Sequence, residues 1–196
     1  MADFNPNTGL GAVFSTFGAY PGIFTQTSGT ANTALQIRTD RVTPYLWRVF
    51  LPFDTSSLPD DATVTAAELR LYRDDALDAF VNADSSSAHI VPSSQASNTA
   101  LVGEDYDQIT RTSEGSITFA STTNGAYSAI TITDLSMISL TGHTKLAVIT
   151  SHDLNQVQPA TGQNVLTWQN NGGANPPILR VTYTTPDGET ETAYFI

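Results

Sequence analysis

The chain has no cysteine, a single lysine and no long apolar run, and each absence removes a class of protein. Without cysteine there is no disulfide framework, no thiol catalysis and no zinc–thiolate centre, although the compartment stays open. Positive charge is scarce. Lys145 and seven arginines stand against 19 acidic residues, for a formal charge of -11. Binding to a nucleic-acid backbone or an anionic bilayer would therefore work against Coulomb repulsion, and neither partner is expected. No stretch approaches the length of a membrane span, and the start MADFNPNTGL lacks a basic region followed by an apolar run. Read as a natural start, it predicts synthesis in the cytoplasm without a signal peptide.

Catalytic signatures are equally thin. His89, His143 and His152 are scattered, and none lies at metal-ligand spacing. His152 precedes Asp153, but neighbours on a strand point to opposite faces, so the pair is not read as part of a triad. There is no Gly-x-Ser-x-Gly elbow and no phosphate-binding loop. The expectation is a protein that is not an enzyme.

What is present is strand pattern. In the stretch WRVFLPFDTSSLPDDATVTAAELRLY, Trp47, Val49, Leu51 and Phe53 fall at every second position, so a pleated ribbon places all four on one core-facing wall. Pro59 in the following turn cannot donate to a ladder and ends the strand. A second strand alternates at Ala67, Leu69 and Leu71. Further strands are expected at 35–38, 88–92, 116–120, 129–133, 145–151, 165–168 and 178–185, short, rich in Thr, Val and Ile, and separated by Gly, Asn, Ser or Pro. Helical turns are expected only at 79–82 and 134–138. A length of 196 residues suits one sandwich.

The segment VFLPFDTSSLPDDATVTAAELRLY resembles the strand–turn–strand signature of disaggregatase-related (DNRLRE) domains and the alginate-binding carbohydrate modules close to them. PPILRVTY, Pro176 to Tyr183, resembles the closing strand of the same group. The resemblance covers roughly residues 33–184 and implies an antiparallel jelly-roll-like β-sandwich, in a version that also occurs in bacteriophage virion proteins. It departs at the front, where this chain has a Gly- and Phe-rich segment instead of an Asp-containing strand. The expected organisation is an arm over 1–32, a sandwich over 33–185 and a C-terminal strand or tail over 186–196.

From Phe4 to Ile37 there is no charged side chain, yet Phe4, Phe14, Phe17, Tyr20 and Phe24 are strung among glycines and threonines. Such a segment is too apolar for a solvated tail and must bury its aromatics. It either adds to its own sandwich or crosses to a neighbouring subunit as an interface arm. The ending Tyr194, Phe195, Ile196 poses a similar question, with a last edge strand as the simple answer.

Two ligand sites are weighed. Asp74, Asp75 and Asp78, in RDDALDAFVNAD, offer the hard oxygen donors that calcium takes, against the alternative of a solvated acidic loop. Trp168 followed by Gln169, Asn170 and Asn171 offers a ring and amides for a glycan, against the alternative that Trp168 alternates with Leu166 into the core. The functional expectation is a non-enzymatic virion structural protein, a bacteriophage capsid decoration or tail-associated surface protein made in the host cytoplasm. Its partners would be other virion proteins such as the major capsid protein, and further copies of itself. The alternative is a carbohydrate-binding module for a host or environmental glycan. No cofactor beyond the calcium option is expected.

Overall fold

The computed structural model describes residues 10–15, 19–32, 34–76, 80–170 and 173–196. Among these, the strands form two antiparallel sheets. The larger is ordered β6 (Val81–Asn82), β11 (Gln163–Trp168), β3 (Leu35–Asp40), β4 (Leu46–Asp54), β10 (His143–Thr150), β7 (Ser87–Pro92) and β8 (Gly115–Thr118). Onto β4 is added β1 (Gly11–Ser15), and onto β1 is added β2 (Thr30–Asn32). The smaller sheet is ordered β13 (Thr190–Phe195), β12 (Ile178–Thr184), β5 (Thr63–Tyr72) and β9 (Tyr127–Thr131). The protein is an all-β sandwich.

Every strand expected from the sequence is present, with its ends moved by a few residues. Three local expectations need correction. Residues 119–121 form a 3-10 turn instead of extending β8. Ser151 opens a short helix, α1 (Ser151–Asn155), with Thr150 Oγ1 accepting from Asp153 N–H as its cap. Of the helical turn expected at 79–82, Ala79 lies outside the described residues, whereas Val81 and Asn82 pair with β11. The turn near 134–138 does form, as Leu135–Met137 capped by the Asp134 carboxylate.

Two apolar layers result. Between the sheets lie Leu35, Ile37, Val49, Leu51, Phe53, Leu69, Leu71, Leu146, Val148, Leu166, Leu179 and Val181. This is the wall that the alternation of β4 and β5 predicts. The outer face of the larger sheet carries a second layer of Val13, Ile23, Phe24, Leu46, Phe50, Val91, Tyr106, Ala147 and Ile149. Strand β4 is therefore buried on both faces. Its sequence LWRVFLPFD accordingly reads as an almost unbroken apolar run, as a doubly covered strand should.

The outer layer is closed by irregular chain, namely the 3-10 turn Gly22–Thr25 and the loop around Tyr106. Of the aromatic arm, Phe24 is fully buried in this layer, Tyr20 donates its hydroxyl to Asp40 O at 2.9 Å, and Phe14 stacks on Trp47 with ring centroids 4.3 Å apart. These three pack on the chain's own sandwich. Phe4 and Phe17 lie outside the described residues.

Candidate functional site

The most concentrated polar chemistry sits inside the outer layer. Irregular chain pressed against a sheet leaves carbonyls without ladder partners, and a buried carbonyl needs a donor. Arg48, projecting from the middle of β4, is completely buried and supplies several. Its Nε and Nη2 donate to Asp153 Oδ2 and Oδ1 at 2.6 and 2.9 Å, a bidentate pair. Its Nη1 donates to Tyr106 O at 2.5 Å and its Nη2 to Phe24 O at 3.2 Å, while the guanidinium lies 4.0 Å over the Tyr106 ring. Arg111 enters from the loop side, its Nη2 donating to Phe24 O at 2.5 Å and to Asp153 Oδ1 at 3.1 Å. Tyr106 completes the set by donating its hydroxyl to Ile23 O at 3.0 Å.

Burial opposes the charge on Arg48, but the Asp153 carboxylate more than offsets this and holds the guanidinium above its ordinary value. Burial likewise pushes Tyr106 up, and Tyr20 up to about 12. Arg48 stays protonated, and the Asp153 carboxylate accepts from two guanidiniums. The cluster braces the segment 20–25 through main-chain carbonyls. Sequence reading did not bring these four residues together, and weighed Asp153 only beside His152. The available signals were the apolar run continuing through Arg48 and the Thr-x-x-Asp start of α1.

His152, also on α1, has Nε2 at 3.4 Å from Asp84 Oδ2, with Thr39 Oγ1 and Ser86 Oγ at 3.4 and 3.5 Å from Nδ1. Being helical, it and Asp153 diverge to different partners, which corrects the strand geometry assumed for this pair. Burial lowers the His152 pKa, with Asp84 pulling the other way. The hydroxyl–imidazole–carboxylate series is long at each step and Ser86 is buried, so no substrate carbonyl reaches it.

The two sites weighed in the sequence turn out to be one braced corner. Trp168 is 1 % exposed and belongs to the core between the sheets, so it is not a sugar platform. The Gln169 amide is engaged, donating through Nε2 to Asp74 Oδ2 at 2.7 Å and accepting at Oε1 from Asn175 N–H at 3.0 Å. Asn170 is half-buried beside it, and Asn171 lies outside the described residues. Asp74 also accepts from Ala76 N–H at 3.0 Å. Asp75 takes Arg73 Nε and Nη2 on its two oxygens at 2.7 and 2.8 Å, and the Arg73 guanidinium stacks 3.6 Å over Phe80. Asp78 lies outside the described residues. Among the described residues no group of three or more His, Asp or Glu side chains could hold a metal ion.

A cleft of about 490 Å³ opens elsewhere, lined by Phe14, Ser15, Thr25, Gln26, Thr27, Ser28, Gly29 and Thr30. Among the described residues its lining holds one aromatic ring, hydroxyls and an amide, and no charged side chain. The Phe14 ring is backed by Trp47, whose indole N–H is buried without a partner among the described residues. Among the described residues no helix is long and apolar enough to cross a membrane.

Neither the comparison with protein-family models nor that with curated proteins gives a match for this chain.

Proposed function

We propose that the chain is a non-enzymatic structural protein of a virion, a capsid decoration or tail-associated surface protein of a bacteriophage. The observation that carries this reading is where the buried charge goes. Arg48, Arg111 and Asp153 are committed to fixing the uncharged segment 20–25 onto the sandwich, and Arg73 and Asp75 to fixing a corner. Ionic chemistry that an enzyme would aim into a cleft serves here to make a rigid block. The surface around it is acidic and rich in Thr and Ser, which suits long exposure without aggregation. Its partners would be the major capsid protein or tail proteins. Mass spectrometry of gradient-purified particles from the source of the sequence tests this: the chain should appear at a fixed ratio to the major capsid protein, and its absence from intact particles would sink the reading.

A second reading, glycan binding, is favoured by the Phe14 cleft. Its volume falls in the range of small-ligand sites, and a ring with neutral hydroxyl and amide groups is what an uncharged sugar needs. The excess of acid argues against a polyuronate ligand. An array of neutral glycans, with wild type and Gln26→Ala, decides it. Binding weakened by the substitution supports the cleft, and no binding to any glycan removes it.

A further inference from the structure

The free edges of the two sheets are treated very differently. In the larger sheet the terminal strand β6 has only two residues. The branch through β1 ends at β2, only three residues long, and the terminal strand β8 folds against β9 of the smaller sheet. Thr133 N–H donates to Glu114 O at 2.7 Å, and a Cβ at Gly115 would lie 2.1 Å from Thr131 O, so only glycine allows this approach. That rim of the sandwich is closed. At the opposite edge of the smaller sheet stands β13, paired with β12 in unbroken register from Thr190 to Phe195, and no described strand pairs with its other side. It has no proline, no lysine and no bulge in TETAYF, and its single charge, Glu191, accepts from the Tyr183 hydroxyl of β12. Of the five large apolar side chains exposed among the described residues, two, Tyr194 and Ile196, sit on this edge, at 57 % and 39 % exposure.

The direction of the unpaired backbone follows from the hairpin. Thr185 N–H donates to Glu189 O at 3.0 Å, which marks 185 and 189 as a hydrogen-bonded pair. Hydrogen-bonded and non-hydrogen-bonded pairs alternate along an antiparallel ladder. The odd-numbered residues of β13 therefore bond toward β12, and Thr190, Thr192 and Tyr194 direct their N–H and C=O groups outward.

We infer that β13 pairs antiparallel with β13 of a second copy of this chain, with Ala193 on the twofold axis. In this register Thr192 stands opposite the partner's Tyr194, and Thr190 opposite the partner's Ile196. Every hydrogen-bonded position thus joins residues that already point outward on both copies. The register covers both exposed apolar side chains. It sets Glu191 opposite the partner's Phe195, so the two Glu191 carboxylates are four residues apart along the strands, roughly 13 Å and beyond the screening length at physiological salt. A register centred on Glu191 would place them face to face. Because the axis is perpendicular to the sheet, the smaller sheets join into one continuous sheet, and both larger sheets stay on the same side. The inference does not depend on whether the protein is a virion component or a glycan binder.

The test uses the full chain. Light scattering across a concentration series should give double the 20.9 kDa chain mass for the wild type. Thr192→Pro removes an outward N–H without touching the β12 ladder, so it should return the mass to 20.9 kDa with the circular dichroism spectrum unchanged. Since the chain has no cysteine of its own, Ala193→Cys provides a register probe. Residues 193 would meet across the axis as a non-hydrogen-bonded pair, about 4.5 Å between Cα atoms and within disulfide reach. Mild oxidation should yield a covalent dimer for Ala193→Cys and none for Glu191→Cys. A wild type that stays monomeric throughout, a folded Thr192→Pro variant that remains dimeric, or cross-linking through position 191 instead of 193 would each overturn the inference.

Discussion

The two faces of the larger sheet are buried by different physics. On the inner face, one regular sheet meets another, the backbone groups are directed within each sheet and not at the facing one, and apolar side chains need only fill space. On the outer face, irregular chain lies on the sheet with carbonyls that have no ladder partner, and apolar packing alone would strand them. Arg48, Arg111 and Tyr106 supply the missing donors to Ile23, Phe24 and Tyr106 carbonyls, and Asp153 balances the charge. A regular layer tolerates substitution by volume; an irregular one depends on named donors.

Removing the hub should have the largest effect. Asp153→Asn leaves the fully buried Arg48 guanidinium, and the part-exposed Arg111 beside it, without their carboxylate, and should cost about 3–5 kcal/mol in urea unfolding. Replacing the pair together, Arg48→Met with Asp153→Leu, should cost less than the single change, because the fully buried guanidinium goes with its carboxylate and only the part-exposed Arg111 is left without one. A double variant as unstable as the single one would break the distinction between the faces. Next comes the inner face: Leu69→Ala, opposite Leu179 and Ile130, should cost about 3 kcal/mol through the cavity it leaves, while amide exchange of residues 20–25 stays slow until global unfolding.

Tyr106→Phe removes one hydrogen bond to Ile23 O and should cost about 1 kcal/mol, seen first as faster exchange in segment 20–25. The mildest effect comes from alkali. Burial raises Tyr20 to about 12 and raises Tyr106 as well, whereas an unfolded tyrosine ionises near about 10. Above that pH the unfolded chain releases protons that the folded chain keeps, so stability falls as pH rises. The urea midpoint should drop as pH rises from about 10 to about 12, and Tyr20→Phe should flatten the drop. An unchanged slope in that variant would mean that the outer layer is not what titrates.

Legibility in the sequence follows the same division. The alternation of Val49, Leu51 and Phe53, and of Ala67, Leu69 and Leu71, marks the inner wall directly, because a strand repeats every two residues whatever it packs against. The same pattern hid the outer layer: Leu46 and Phe50 fill the opposite phase of β4, with Arg48 between them. Trp168 was legible as core by its alternation with Leu166, and the structure places it there instead of on a sugar site. Asp74 and Asp75 were visible as acids, but their engagement with Gln169 and Arg73 depends on contacts that local sequence does not encode.

The sequence by itself determined the fold class, the strands from β3 to β5 and from β7 to β12, and the need to bury the uncharged aromatic segment, since these rest on local periodicity and on the cost of exposing apolar rings to water. Only the tertiary structure decided that Phe14, Tyr20 and Phe24 pack at home, that an arginine lies at the centre of the outer layer, and that β13 is left with an open edge while β9 is closed. Each of these depends on which carbonyls and strand edges end up without partners, and that is settled when distant segments meet.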